Sequence, residues 1–176
     1  MSEISIRKAA LTDIPQLLTL INAYAAKGIM LPRTEFEMAE NIRDFSVALD
    51  ERQVVGCGAL HFYTTSAAEV RSLAVDPDHK TYGLGRRIVE SLVAEATEHQ
   101  LRSLFAFTYV PGFFEKLGFS VVERGELPLK AWKDCLRCPK FQACDEIAML
   151  RRLRSEPEGP AFPLSVFDSV QLPVLR

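Results

Sequence analysis

A glycine-containing turn between a strand and a long amphipathic helix constrains this fold more than any other feature of the sequence. Residues 69–75 have the apolar pattern of a strand, and Gly83 and Gly85 lie at the start of a helical pattern. In that helix the apolar residues recur every four positions, at Leu84, Ile88, Leu92 and Ala96. Glycine lets the backbone approach a ligand closely, and a helix N-terminus presents unpaired N–H groups and the positive end of the helix dipole. The turn therefore predicts a pyrophosphate site, although a plain tight turn has the same glycine spacing.

The other periodic segments predict a mixed sheet covered by helices. Apolar residues three and four apart predict a helix over 14–25, with Thr12 or Asp13 as its N-cap and Gly28 after its end. The predicted strands are residues 4–7, 45–49, 53–63, 69–75, 103–110 and 119–122. Further helices are predicted over 35–43, within 80–100 and over 111–117, and residues 147–153 fit either a strand or a helix.

The length and the distribution of proline define the expected domain organisation. The 176 residues fit one domain with a substantial core, and we assign that domain to residues 1–154. Residues 155–176 contain four prolines among apolar side chains. We expect this segment to be an extended arm that packs on the body or on a second subunit, which leaves a homodimer open.

Charge and hydropathy exclude several function classes. The net charge of −2 provides no basic field for nucleic acid. The sequence has no run of 18 apolar residues that would span a membrane, and its N-terminus has no signal-peptide pattern. We therefore expect a cytoplasmic protein whose partner is a small molecule, and an anionic substrate would need a local basic cluster.

Two motifs lie on either side of the long helix. The first joins the strand end Leu73-Ala74-Val75 to the turn Lys80-x-x-Gly83-x-Gly85, and the second is the segment 113–119, Phe-Phe-Glu-Lys-Leu-Gly-Phe. In this order and spacing they resemble the GNAT superfamily of N-acetyltransferases, with Lys80 where that family usually has Arg or Gln. The resemblance implies an α/β (α+β) fold, the GNAT acyl-CoA acyltransferase fold. In that fold a mixed, mostly antiparallel sheet is flanked by helices and contains a splayed pair of parallel strands.

The resemblance also implies that acetyl-CoA is the cosubstrate, and it assigns the residues that bind it. Residues 72–75 and 105–109 would form the splayed strands that admit pantetheine, and a freed backbone N–H there would polarise the thioester carbonyl. The implied cofactor-binding residues are Leu73, Ala74, Val75, Lys80, Gly83, Leu84, Gly85, Arg86 and Phe114. Many relatives have a tyrosine acid at the position of Phe114, so that acid is missing here; an acid helps the thiolate to leave but is not essential, because a thiol has a pKa of about 8.5.

Several further segments are similar to one group within this superfamily. They are residues 31–34 (Leu-Pro-Arg-Thr), 56–60, 69–75 and 133–141. Over residues 3–153 the chain resembles the acetyltransferase domains of N-acetylglutamate synthases, and the segment 133–141 is similar to the short, free-standing bacterial form. The resemblance implies that an acetyl group passes from acetyl-CoA to the α-amine of L-glutamate by direct attack in a ternary complex, as the first step of arginine biosynthesis. It also implies that the amino-acid-kinase domain of the long forms is absent. Acetylation of another amino acid or small amine, and a non-catalytic acyl-CoA-binding role, remain as alternatives.

An acceptor site for glutamate needs cationic groups for two carboxylates and a base for one ammonium. The candidate substrate-binding residues are Arg33, His61, Arg71, Lys130 and Lys133. Arginine binds a carboxylate bidentately, although each basic residue could equally be a solvated surface charge. Glu69 is the candidate base, acting directly or through water, and its alternative is a surface acid. Tyr109 is the candidate acid at the end of the second cofactor strand, or else a buried packing residue.

Three cysteines with the spacing Cys-x2-Cys-x5-Cys form a candidate metal site at Cys135, Cys138 and Cys144. A Cys-x2-Cys pair is a common start of a tetrahedral zinc site, but such a site needs four ligands. The alternative is three reduced thiols in a loop, as expected in a reducing cytosol. Cys57 lies within a predicted strand and is interpreted as a small core residue.

Overall fold

The computed structural model describes residues 4–127, 140 and 143–154, except for the side chains of residues 81 and 82. The strands are β1 (Ser5–Lys8), β2 (Phe45–Asp50), β3 (Gln53–Phe62), β4 (Ala67–Val75), β5 (Ser103–Thr108), β6 (Ser120–Val121) and β7 (Ile147–Arg152). The α-helices are α1 (Ile14–Ala25), α2 (Glu35–Asn41), α3 (Leu84–Glu98) and α4 (Pro111–Glu115). Short 3₁₀ turns occur at Leu11–Asp13, Ile42–Asp44, Pro77–Tyr82 and Arg124–Glu126. Within these described residues, no helix is both long and apolar enough to cross a membrane.

The described strands form one mixed sheet in the order β1-β2-β3-β4-β5-β7-β6. The β4–β5 pair is parallel, and every other described pair is antiparallel. This confirms the predicted mixed, mostly antiparallel sheet flanked by helices. The segment 147–153, for which the sequence allowed a strand or a helix, supplies strand β7 between β5 and β6.

Strand β4 separates from β5 after the first third of its own length. The parallel pairing runs from Ala67 opposite Ser103 to Glu69 opposite Phe105, and the described strands share no pair beyond that point. On its other side, β4 shifts register against β3 between Cys57 and Ala59. The sheet therefore opens between the carboxyl-terminal halves of β4 and β5, where the splayed pair was expected.

The two faces of the sheet are covered by different helices. Helix α3 packs on one face with a large cluster that includes Val70 and Leu104. Helices α1 and α2 pack on the opposite face, over the β2–β4 part of the sheet. Since side chains alternate along a strand, Phe105 lies on the α1/α2 face, where it forms a separate cluster with Leu127 and residues of β7. The opening between β4 and β5 thus lies between the cluster packed under α1 and α2 and the separate cluster that contains Phe105.

Two glycines of β3 allow α3 to lie close to the sheet. A Cβ atom at Gly56 would lie 2.9 Å from Cδ1 of Ile88, and one at Gly58 would lie 2.9 Å from Cγ2 of the same residue. Side chains at these positions would push α3 outward, and with it the turn from which the helix begins.

The entry to α1 differs from the predicted side-chain cap. Asp13 occupies the N-cap position, but its side chain makes no hydrogen bond to the helix. Its carboxylate instead accepts hydrogen bonds from Arg7 at 2.7 and 3.0 Å and from the Ala10 N–H at 2.8 Å. The hydrogen bond from Arg7 is the main reason why the pKa of Asp13 is lowered. Asp13 therefore ties α1 to β1 rather than capping the helix.

Candidate active site

The turn before α3 has the backbone geometry that the glycine spacing predicted. The Asp76 side chain accepts a hydrogen bond from the Asp78 N–H at 2.9 Å and so begins the 3₁₀ turn. Gly83 follows with φ of 63° and ψ of 21°, the left-handed conformation that side chains disfavour. It occupies the N-cap position of α3, and no side chain there makes a cap hydrogen bond. The N-terminus of α3 is consequently available to an anionic ligand.

The predicted cofactor residues around this turn divide into backbone and side-chain contributors. The side chains of Ala74, Val75 and Leu84 are buried in the core, so that only their backbone could reach a ligand. Arg86 is exposed and forms an ion pair with Glu90 on the next turn of α3, at 2.7 Å. A ligand would therefore have to compete with Glu90 for the Arg86 side chain.

The second glycine, Gly85, faces the aromatic helix α4. A Cβ atom there would lie 3.5 Å from the Phe113 ring and 3.7 Å from Cγ2 of Val75, which is ordinary contact distance. Phe114 is buried and makes an edge-on contact with Phe119. A methyl group would therefore fit at position 85, whereas a longer side chain would enter the space between α3 and α4.

Tyr24 of α1 is a neighbour of this turn that sequence reasoning missed. Its hydroxyl donates a hydrogen bond of 2.5 Å to the Val75 carbonyl at the end of β4. The ammonium groups of Lys27 and Lys80 lie 5.7 and 5.3 Å from the centre of its ring, within cation–π range. The ammonium group of the exposed Lys80 thus lies over the Tyr24 ring, near the glycine turn. In the sequence, Tyr24 is only one more residue in the last turn of a helix.

A cavity of about 390 Å³ lies at the opening between β4 and β5. Its walls come from the loop 28–33, from residues 69–73 of β4 and from residues 107–110 at the end of β5. Phe114, Lys140, Cys144 and Glu146 complete the lining. Residues far apart in the sequence therefore meet where the sheet opens.

Four of the predicted catalytic and acceptor residues line this cavity, namely Arg33, Glu69, Arg71 and Tyr109. Leu73 lines it as well, and His61 lies one strand away from the lining residue Glu69. Lys130 and Lys133 lie outside the described residues.

Arg33 and Arg71 reach the cavity from different elements. The Asn22 side chain of α1 binds the Arg33 backbone twice: its amide nitrogen donates to the carbonyl at 3.0 Å, and its oxygen accepts from the N–H at 2.9 Å. Arg71 is two residues from Glu69 on β4, so both side chains lie on the α1/α2 face. The Nε atoms of both arginines are buried, which places their charges in a partly desolvated site.

The Glu69 carboxylate is the most deeply buried acid beside the cavity, with 2% of the residue exposed. The Tyr63 hydroxyl donates a hydrogen bond of 3.2 Å to its Oε2 atom. His61 lies directly opposite Glu69 on β3, and its Nδ1 is 2.5 Å from Oδ2 of Asp44. The same Asp44 oxygen is 3.9 Å from Nη2 of Arg71. Neither Asp44 nor Tyr63 could be identified from the sequence, because neither belongs to a motif.

Tyr109 is paired with a lysine from the far side of the cavity. Lys140 donates a hydrogen bond of 3.2 Å to the Tyr109 hydroxyl and lies 4.7 Å from the ring centre. The same ammonium is 3.4 Å from the carboxylate of Asp145. Burial is the main reason why the pKa of Tyr109 is raised, and the hydrogen bond from Lys140 opposes it. The hydroxyl therefore keeps its proton at neutral pH and could donate it to a leaving group.

The cysteines do not support a zinc site in the part of the chain that the structure describes. Cys135 and Cys138 lie outside that part, and the described residues contain no group of three or more side chains able to hold a metal. Cys144 is half-buried; its sulfur accepts a hydrogen bond of 3.2 Å from Arg124 and lies 3.9 Å from Oε2 of Glu146. Cys57 is fully buried, and burial raises its pKa to about 12, as fits a core residue.

Together, the splayed parallel pair, the left-handed glycine before α3 and the cavity between them define an acyl-CoA-dependent N-acetyltransferase of the GNAT type. The GNAT acetyltransferase domain model matches residues 41–121. An uncharacterized N-acetyltransferase of Chlorobaculum tepidum is 43% identical over 148 residues, which are 84% of this chain and 96% of that protein. This chain belongs to the GNAT superfamily, and it is an acetyl-CoA-dependent N-acetyltransferase.

Two relatives have more specific names. An amino-acid acetyltransferase of Mycobacterium tuberculosis is 36% identical over 121 residues, covering 67% of this chain and 69% of that protein. The structure of N-acetylglutamate synthase from Neisseria gonorrhoeae, complexed with coenzyme A and N-acetyl-glutamate, is 27% identical and superposes with a TM-score of 0.79. That match covers 88% of this chain but 36% of the Neisseria chain.

Proposed function

We propose that the protein transfers the acetyl group of acetyl-CoA to the α-amine of L-glutamate, giving N-acetyl-L-glutamate and CoA. The observation that carries this proposal is the convergence of Arg33, Arg71 and Glu69 on the cavity at the strand opening. Glutamate offers two carboxylates and one ammonium. Two arginines match the carboxylates, since guanidinium groups bind them bidentately, and a buried carboxylate matches the ammonium.

The cosubstrate enters from the opening between β4 and β5. Pantetheine lies between the two strands, and the pyrophosphate lies at the N-terminus of α3, where Gly83 allows close backbone approach. Lys80 adds a positive charge near the turn. The complex of the Neisseria relative with coenzyme A supports this arrangement. The acceptor amino acid then occupies the α1/α2 side of the cavity.

Acetyl transfer proceeds by direct attack. Glu69 takes one proton from the α-ammonium, directly or through water, which is an easy step because a free α-amine has a pKa of roughly 7.7–8.0. The amine nitrogen attacks the thioester carbonyl, and a backbone N–H of β4 at the opening stabilises the oxyanion. The C–S bond breaks, and Tyr109 gives its proton to the thiolate of CoA. Tyr109 thereby supplies the acid that Phe114 cannot provide. The nitrogen loses its second proton as the amide forms, and this proton returns to the Tyr109 oxygen through water.

The charges of the cavity favour an amino acid over other amines. Arg33, Arg71 and Lys140 are three cationic side chains in the lining, against the two acids Glu69 and Glu146. A polyamine has no carboxylate for the arginines and would be repelled by them. Glutamine and other amino acids remain the competing acceptors, since the name of the Mycobacterium relative specifies only an amino acid. We assign the activity to residues 1–154 and place it in the cytoplasm, at the start of arginine biosynthesis.

The test is a CoA-release assay across the twenty amino acids and spermine, with the product identified by mass spectrometry. We expect L-glutamate to give the highest kcat/KM, and lysine and spermine to give no turnover above background. Expression in a bacterial strain that lacks N-acetylglutamate synthase should restore growth without arginine. A higher kcat/KM for another amine, together with failed complementation, would refute glutamate as the substrate.

A further inference from the structure

Asp44 is a carboxylate buried beside the acceptor part of the cavity, although it is not among the residues that line it. Its side chain is 18% exposed, and the side chains of its neighbours His61 and Arg71 are 24% and 11% exposed. An ionised carboxylate in such a place is unfavourable unless it is paired and hydrogen-bonded. His61 and Arg71 therefore hold the Asp44 carboxylate in place, and the carboxylate in turn restrains their side chains.

The strand register brings these three residues together. Ala59 of β3 lies opposite Phe45 of β2 on one side and opposite Arg71 of β4 on the other. Asp44 immediately precedes Phe45, at the end of a 3₁₀ turn. His61 is two residues beyond Ala59, so it is a diagonal neighbour of Arg71 on the same face of the sheet. The Asp44 carboxylate reaches both side chains from the start of β2.

The contacts of Asp44 with its two partners differ in kind. The 2.5 Å separation from His61 Nδ1 is a direct hydrogen bond, which makes Nδ1 the protonated nitrogen and holds the imidazole ring in one orientation. The 3.9 Å separation from Arg71 is longer than a hydrogen bond. Asp44 therefore acts on the Arg71 guanidinium as a nearby charge and not as a hydrogen-bond partner.

His61 also connects Asp44 to the candidate base. The His61 and Tyr63 rings meet edge to face, with their centres 4.9 Å apart. The Tyr63 hydroxyl in turn donates its hydrogen bond to Oε2 of Glu69. One chain of contacts therefore runs from Asp44 through His61 and Tyr63 to Glu69, while a second runs from Asp44 to Arg71.

We propose that Asp44 is a positioning residue for the acceptor substrate. Together with His61 it orients Arg71 toward a substrate carboxylate and, through Tyr63, orients Glu69 toward the substrate ammonium. Asp44 itself contacts neither the substrate nor acetyl-CoA. This inference rests on the proposed function, because it assigns Arg71 and Glu69 to the acceptor.

The test compares Asp44→Asn with a matched variant, Asp13→Asn. The asparagine keeps the shape of Asp44 and an acceptor for His61 but removes the charge. Asp13 is also a buried carboxylate paired with an arginine, and it lies away from the cavity. We expect Asp44→Asn to raise the KM of the acceptor about tenfold, the scale of coupling within one polar network. The KM of acetyl-CoA should stay within about twofold, and Asp13→Asn should leave both KM values within the same range. An acceptor KM that is unchanged or lower in Asp44→Asn, or an equal rise in both KM values, overturns the proposal.

Two variants of His61 give an independent result, which also serves if Asp44→Asn does not fold. His61→Asn places an amide nitrogen near the position of Nδ1 and should keep the acceptor KM within about threefold. His61→Ala removes that donor and should raise the acceptor KM about tenfold. Equal values for the two variants overturn the proposal.

The acceptor in these measurements is the amino acid that the wild-type protein acetylates best. If that amino acid is not glutamate, the proposed substrate is wrong and the measurement still decides the role of Asp44. If none of the twenty amino acids is acetylated, both proposals are wrong.

Discussion

Replacing Arg71 by alanine is expected to weaken the binding of the acceptor amino acid and to leave the binding of acetyl-CoA intact. The Arg71 side chain is 11% exposed and lines the cavity beside Glu69. A substrate carboxylate bound there would lose most of its water, and its interaction with the guanidinium would be screened little by solvent. Alanine leaves that carboxylate without a charged partner.

The size of the effect follows from the burial of Arg71. Truncating one partner of a buried, hydrogen-bonded charge pair costs about 2–5 kcal/mol. At about 1.4 kcal/mol for each factor of ten, this range corresponds to a rise in KM of roughly 30-fold to several thousand-fold. Because the Arg71 side chain keeps 11% of its surface exposed, we expect a value near the lower end of this range, about 30- to 100-fold.

Steady-state kinetics with each substrate varied in turn measure this effect. Arg71→Lys keeps the charge but loses bidentate geometry, so its acceptor KM should lie between those of the wild type and the alanine variant. Arg7→Ala is the matched control, because Arg7 pairs with Asp13 at 2.7 Å with 45% of its side chain exposed and lies away from the cavity. It should change neither KM. A rise of equal size in the KM values for acetyl-CoA and the acceptor in Arg71→Ala would show that Arg71 is structural.

Three further predictions follow from the cofactor turn, the candidate acid and the β1–α1 ion pair. Gly85→Glu should abolish acetyl-CoA binding in calorimetric titration, because its side chain would enter the space between α3 and α4 and would add a negative charge to the first turn of α3. Gly85→Ala should bind acetyl-CoA, since a methyl group meets Phe113 at contact distance. Tyr109→Phe should lower kcat about a hundredfold at pH 7 without changing either KM. The wild type should keep its higher kcat up to pH 10, because the pKa of the Tyr109 hydroxyl is raised from 10.0, chiefly by burial. Asp13→Asn should lower Tm at pH 7, and the difference from the wild type should shrink as the pH falls below 3.8. The pKa of Asp13 is lowered from 3.8, chiefly by the hydrogen bond from Arg7, so this pairing stabilises the fold above pH 3.8 and its contribution is lost as the pH falls through the folded-state pKa.

The sequence predicted the geometry of the glycine turn and of helix α3 well because both are local. The glycine turn and the helix that follows it occupy one continuous segment, and the left-handed conformation of Gly83 favours a residue without a side chain. The alternation along β4 similarly predicted that Glu69 and Arg71 share a face. Whether these residues bind the substrates stays a prediction.

The acceptor half could be predicted only in part, because distant segments build it. Lys140 and Glu146 reach the cavity from the segment before β7, and the apolar run of β7 did not distinguish a strand from a helix. The register of β2 against β3 and the register of β3 against β4 together bring Asp44 close to Arg71. A local sequence pattern does not predict these registers. Asp13 was predicted as a helix cap because the sequence does not show that Arg7 would compete for its carboxylate.

One extra residue in β4 explains how Arg71 can face the cavity while the end of the strand returns to the core. Val70 and Val75 pack in the same cluster with α3, although simple alternation over five positions would put them on opposite faces. The register shift against β3 and the φ of 52° at Ser72 place the additional residue between them. A non-glycine residue in that conformation is strained, and such strain persists where the surroundings enforce it. The bulge lets Arg71 face the cavity while Val75 returns to the core ahead of the glycine turn, so the two halves of the site depend on one local departure from regular pairing.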